Sequence, residues 1–292
     1  MNARNHDPQR KEMTMTRNAN SPRTGRLLAL HAAAQEGDIS AVNCRIQRGQ
    51  RTDVRKNGRL PIELAAANGH TKVCVALLDS LESNDRDYFA AVAARFAAVK
   101  GHAETCGALL HAISDKKKWR TAISDALKKT LWHRQEATLM VLLDGLDCGE
   151  RRRCANELIP LAAYYGRANT CALLLDCAPD GTGERKRIMA TALDKSITLG
   201  HESASTALLA HVPVGAWRTR LVNDALFWAV EKGQKEISAL LLDAGADMDA
   251  PRHDGESPRS WVAKSPQLRA VFEGHLLRSR QGAGAERSRA AM

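Results

Sequence analysis

The chain has 292 residues, 43 Lys and Arg against 33 Asp and Glu, a formal charge of +10, 44% hydrophobic residues and only 4% aromatics. Seven cysteines, an odd number with no Cys-x-x-Cys pair, argue against a disulfide framework or a structural zinc site. No apolar stretch approaches the roughly 20 residues needed to span a bilayer, and the first residues lack the apolar core of a secretory signal peptide.

In chain order, residues 1–25 come first, polar and rich in Asn, Arg, Thr and Ser; a disordered leader is expected there. From residue 26 a slot returns every 32 to 34 residues, at Gly37, Gly69, Gly101, Arg134, Gly166, Gly200 and Gly233. Four positions before each slot stands a small residue: Ala33, Ala65, Ala97, Thr130, Ala162, Ser196 and Ala229. Eight and nine positions after, from the second slot on, stands an apolar pair: Leu77-Leu78, Leu109-Leu110, Leu142-Leu143, Leu174-Leu175, Leu208-Leu209 and Leu241-Leu242. A fixed period in this range is the signature of a solenoid, in which no unit buries its apolar face alone. The spacing predicts two short antiparallel helices per repeat, turning at the slot, with small residues letting adjacent first helices approach closely.

Three motifs carry a resemblance to a known family. They are Leu30-His31-Ala32-Ala33-Ala34-Gln35-Glu36-Gly37, then Leu60 to His70, then Gly245-Ala246-Asp247-Met248-Asp249-Ala250 followed by Asp254 to Pro258. All resemble the ankyrin repeat, over residues 26–276. The resemblance implies an all-α ankyrin-repeat solenoid of about seven helix-turn-helix repeats. Ser257 to Phe272 would form a degenerate C-terminal cap, and 277–292 a disordered tail.

Departures from the family pattern carry their own expectations. Only Gly49 to Gly58 and Gly245 to Gly255 read as finger hairpins. Tyr88 to Val99, Arg120 to Trp132 and Leu221 to Val230 extend the helical pattern, so the inner repeats should have longer first helices and short or missing fingers. Pro160 implies a fifth first helix that starts late or kinks there. Arg134 in a glycine slot implies a turn of different shape.

For chemistry, Cys74, Cys106 and Cys171 each fall five residues after a slot, where a packed helix position is expected and a thiol acts as a small apolar group. His70, His102 and His201 follow their glycines, where the resemblance implies a role in turn hydrogen bonding. No His-Glu-x-x-His, Gly-x-Ser-x-Gly or phosphate-binding glycine loop is present. The expectation is a protein that is not an enzyme, with no catalytic residue, metal or cofactor.

Charge supplies the candidate binding residues. Thirteen to sixteen positions before successive slots stand Arg86; Lys118, Trp119 and Arg120; Arg151, Arg152 and Arg153; Arg185, Lys186 and Arg187; and Trp217, Arg218 and Arg220. Equivalent positions would form a basic stripe across five repeats, with Trp and Arg as typical interface anchors. The stripe reads either as a solvated edge or as a surface for an acidic partner. The resemblance implies a monomeric scaffold binding a partner protein on its concave face. Nucleic acid or anionic lipid is the alternative class, although no aromatic residues interleave regularly for stacking. The polar leader and long first helices also resemble ankyrin-type effectors that bacteria inject into host cells; a cytosolic adaptor or inhibitor is the other reading.

Overall fold

A computed structural model describes residues 22–177, 183–251, 255–262, 265 and 268–278. Residues 1–21 of the leader expected at 1–25, residues 279–292 of the tail expected at 277–292, and Asp254 of the second finger motif lie outside the described residues; residues 22–25 and 277–278 are helical. The chain divides into two units, residues 1–146 and 147–292.

Unit 1 contains four helix pairs: α1 (Pro22–Glu36) with α2 (Ile39–Gln47), α3 (Pro61–Ala67) with α4 (Thr71–Asp79), α5 (Ser83–Lys100) with α6 (Ala103–His111), and α7 (Lys116–Trp132) with α8 (Glu136–Asp144). First helices pack on first helices, α1 on α3, α3 on α5 and α5 on α7; second helices do the same from α2 through α8. Unit 2 repeats the plan with α9 (Cys148–Tyr164) and α10 (Ala168–Asp176), α11 (Gly183–Thr198) and α12 (Glu202–Ala210), and α13 (Ala216–Glu231) and α14 (Lys235–Asp243). There α9 packs on α11 and α11 on α13, with α10, α12 and α14 forming the second layer. The short α15 (Pro258–Val262) covers the end of α13, where Trp261 meets Phe227 edge-on at 5.9 Å. Residues 268–278 are helical as well. This is the repeat-stacked, all-helical architecture that the period predicts.

The periodic residues form the core. The residue four before each slot is fully or nearly fully buried, and every member of the leucine pairs is buried. Small side chains bring first helices together, and the paired leucines fill the space between second helices. Neighbour contacts therefore supply each repeat's buried surface, as one-dimensional stacking requires.

Inner first helices are long, 18 residues in α5 and 17 in α7 against 7 in α3. The first finger is a tight hairpin in which Lys56 and Arg59 exchange backbone hydrogen bonds of 2.8 and 2.9 Å. Asn57 and Gly58 have φ of +50° and +76°, the double left-handed turn whose twist matches paired strands. At the second finger site the Arg259 amide bonds to Met248 O at 3.1 Å and its guanidinium pairs with Asp249, but no β-bridge forms among the described residues.

One expectation is narrowed and one is corrected. Helix α9 does not start late: it runs from Cys148 to Tyr164 with Pro160 inside. The ring sits on a half-buried position, and the missing amide leaves only the Asn156 carbonyl without its usual helical donor. Nor does Arg134 change the shape of its turn. Its φ is +61°, beside +83° at Gly101 and +65° at Gly166. The same closing bond forms from Gln135 N to Thr130 O at 2.8 Å as from His102 N to Ala97 O at 2.9 Å. The exposed arginine keeps the left-handed conformation of this turn despite its Cβ.

Candidate partner-binding surface

Each residue of the predicted stripe has a definite place, and the stripe separates into two kinds of position. Fifteen residues before successive slots stand Arg86, Trp119, Arg151, Arg185 and Arg218. Three of these reach the carboxyl end of the preceding repeat's second helix. Arg86 pairs with Asp79 at 2.9 Å at the end of α4. Arg185 is buried and donates from Nη1 to Leu175 O at 3.1 Å in α10. Arg218 donates from Nη1 to Val212 O at 2.9 Å and Leu209 O at 3.3 Å, closing the end of α12. The last carbonyls of a helix lack intrahelical donors and carry the negative end of its dipole, so a cation there satisfies both. These arginines tie repeat to repeat.

The remaining cations stand outward. Arg120, Arg152, Lys186, Arg187 and Arg220 are exposed. Lys186 Nζ lies 5.7 Å from the centre of the half-buried Trp217 ring, while Arg153 pairs with Glu150 at 2.8 Å and Glu157 at 3.6 Å. Lys118 lies 3.6 Å from Asp87, and beside it Trp119 and, in α9, Arg151 are half-buried. Within unit 2, Arg187 and Arg220 share one register, thirteen residues before their slots.

A second surface lies wholly within unit 1, across the outward faces of its first helices. Between the finger hairpin and helices α3, α5 and α7 there is an open pocket of about 480 Å³, where Arg55, Arg59, Arg95 and Lys129 surround Val92 and Phe96. Tyr88, Val92 and Arg95 also line the adjoining pocket, about 450 Å³, with a floor of Ala91, Val92 and Ala122 and with Lys117 and Lys118 at its rim. The two make one groove. Tyr88 is 57% exposed in it, and the Arg59 guanidinium lies 4.3 Å over the Phe96 ring.

Six cations face three carboxylates along this groove, and two of those carboxylates are buried and engaged. Glu63 accepts from Arg55 at 3.0 Å and from the Leu60 amide at 3.3 Å. Asp87 accepts from the amides of Ser114 at 2.9 Å and Asp115 at 3.3 Å, and these bonds hold its carboxyl below the usual range. Asp115 in turn caps α7 by accepting from Lys118 N at 2.7 Å. Arg95, Lys117 and Lys129 are exposed, so the groove presents a positive surface over an apolar floor.

Sequence reading did not single out Tyr88, Arg95 or Lys129. The signal was present in the extended helical stretch, where Tyr88, Val92, Arg95 and Val99 recur at the three- and four-residue spacing of one helix face. The outward direction of Tyr88 and Arg95 follows only once the buried face, through Ala90, Ala93, Ala94 and Ala97, is fixed.

The periodic cysteines and histidines have structural places. Burial pushes the thiols of Cys74, Cys106 and Cys171 up to about 12. His70, His102 and His201 donate from Nε2 to Gln35 O, Ala67 O and Tyr164 O of the preceding repeat, at 3.0, 3.1 and 3.0 Å. Among the described residues no group of three or more His, Cys, Asp and Glu could hold a metal ion, and no helix is long and apolar enough to cross a membrane.

The ankyrin repeat domain of Bcl-3, described as a unique member of the IkappaB protein family, is similar to this chain at 19% identity and a TM-score of 0.41, covering 84% of this chain and 97% of that one. The human ASB11 ankyrin repeat domain is similar at 19% identity and a TM-score of 0.32, covering 87% of this chain and 97% of its own. No protein-family model and no curated protein matches the sequence.

Proposed function

We propose that the chain is a non-enzymatic interaction scaffold that binds a partner protein with an acidic surface. It uses the outward faces of its first helices together with the exposed members of the basic edge: Arg120, Arg152, Lys186, Arg187 and Arg220. The groove of unit 1 carries this reading, because an exposed tyrosine beside arginines over an apolar floor combines residue types enriched at interfaces, with the surrounding cations suited to an acidic partner. Stacked repeats also set similar groups at similar depth along a face. That spreads binding residues out instead of converging them on a reacting atom.

The buried or tied cations Arg86, Arg185 and Arg218 support the scaffold that presents this surface. Delivery into a host cell as a bacterial effector belongs to the same proposal, resting on the polar leader; adaptor or inhibitor action in the cytosol is its alternative. Binding of nucleic acid or anionic lipid by the edge is the competing use of the same cations.

Capture of partner proteins by the intact chain, beside a variant carrying Arg152→Glu, Arg153→Glu, Lys186→Glu and Arg187→Glu, tests the role of the edge. Loss of specific polypeptides from the variant supports recognition; equal yield assigns the edge to solubility. If nucleic acid were the ligand and five phosphates were neutralised, log K would fall against log salt with a slope of about −4.5.

A further inference from the structure

The unit 1 groove has more definition than a general basic face, and its geometry narrows the kind of partner. Arg59, Arg95 and Lys129 belong to consecutive repeats and edge the same pocket. Packed helices stand about 8–10 Å apart, and an extended peptide advances about 3.3 Å per residue. One repeat thus corresponds to about three residues of extended chain. Beside Arg95, Val92 lines both this pocket and the adjoining one, whose floor continues through Ala91 and Ala122, with Tyr88 as an exposed aromatic wall.

We propose that this groove binds an extended acidic peptide segment of the partner, with carboxylates about three residues apart meeting Arg59, Arg95 and Lys129. An apolar side chain next to the carboxylate at Arg95 would seat on Val92 and the adjoining Ala91 and Ala122 floor. This rests on the scaffold reading above and specifies its ligand.

Two features favour a peptide over a phosphate backbone. The Phe96 face, which could stack a base, is already covered by Arg59. The apolar floor has no counterpart in a backbone-only contact, whereas peptide recognition commonly pairs polar register with apolar pockets.

Fluorescence anisotropy with the full chain tests the proposal. The probe is a labelled peptide of about ten residues with glutamate at every third position and leucines between; its comparators are a scrambled peptide of equal composition and a labelled single-stranded oligonucleotide. The expected result is saturable binding of the spaced peptide, weaker binding of the scrambled one, and about 100-fold loss in an Arg95→Glu, Lys129→Glu double variant, tenfold per charge reversed. The milder Arg95→Gln variant should lose less, and circular dichroism should show all variants folded. Equal binding of both peptides, no saturable peptide binding, unchanged affinity in the folded double variant, or tighter binding of the oligonucleotide overturns the proposal. The scaffold reading fails separately, if partner polypeptides captured by the intact chain are retained equally by variants of both the groove and the basic edge.

Discussion

The imidazole of His102 lies against Gly69 of the preceding repeat: it donates to Ala67 O at 3.1 Å, and a Cβ placed on Gly69 would stand 2.8 Å from its Nδ1. The glycine is therefore required twice, by its φ of +77° and by the ring that fills the space beside it. Each such contact joins the turn of one repeat to the start of the next repeat's second helix. Gly69→Ala should cost at least about 2 kcal/mol, from left-handed strain of roughly 1–2 kcal/mol plus the clash. His102→Ala should cost about 1 kcal/mol for the lost hydrogen bond. Urea unfolding of each variant measures both.

Arg134 occupies the same left-handed conformation with a Cβ, at φ +61°. Arg134→Gly removes that strain while adding freedom to the unfolded chain, so the net gain should be about 0.5–1 kcal/mol. A shift of the urea midpoint to higher concentration with an unchanged slope would confirm it.

Arg185 and Arg187 are two residues apart with opposite roles. Buried Arg185 holds Leu175 O at 3.1 Å, so Arg185→Ala should destabilise by about 1.5–3 kcal/mol. Exposed Arg187 should be replaceable by alanine within about 0.5 kcal/mol. Thermal unfolding of the pair separates a cation that holds repeats together from one that stands exposed.

Asp87 gives the stack a pH-dependent contact. Amide hydrogen bonds from Ser114 and Asp115 keep its folded-state carboxyl below the unfolded value of about 3.9. Its stabilisation is then complete above that value and is lost as pH falls through the folded one. Asp87→Asn should cost about 1–2 kcal/mol at neutral pH, and the deficit should shrink on acidification below about pH 4. Urea titrations across that range would show the two curves converging.

What was legible in the sequence was whatever the stack forces to recur. The small residues before each slot, the leucine pairs and the Gly-His contacts are set by repeat-to-repeat packing, so they return with the period and end up buried or bonded as expected. Outward residues obey no such constraint. Tyr88, Arg95 and Lys129 occupy three different registers, and only the three-dimensional neighbourhood of α5, α7 and the finger assembles them. The basic stripe was visible as charge, but spacing alone could not distinguish Arg185, turned inward to a helix end, from Arg187 two positions on. At Arg134 and Pro160 local propensity points away from the observed backbone: the arginine keeps the left-handed turn, and the helix runs through the proline instead of starting after it.

Hydrogen–deuterium exchange on the chain with and without a captured partner polypeptide tests the central claim most directly. Protection should appear on the outward faces of α5 and α7, around Tyr88, Arg95 and Lys129, and around the exposed edge cations. Protection confined to the second-helix layer, or turnover of a substrate by the purified chain, would contradict the account.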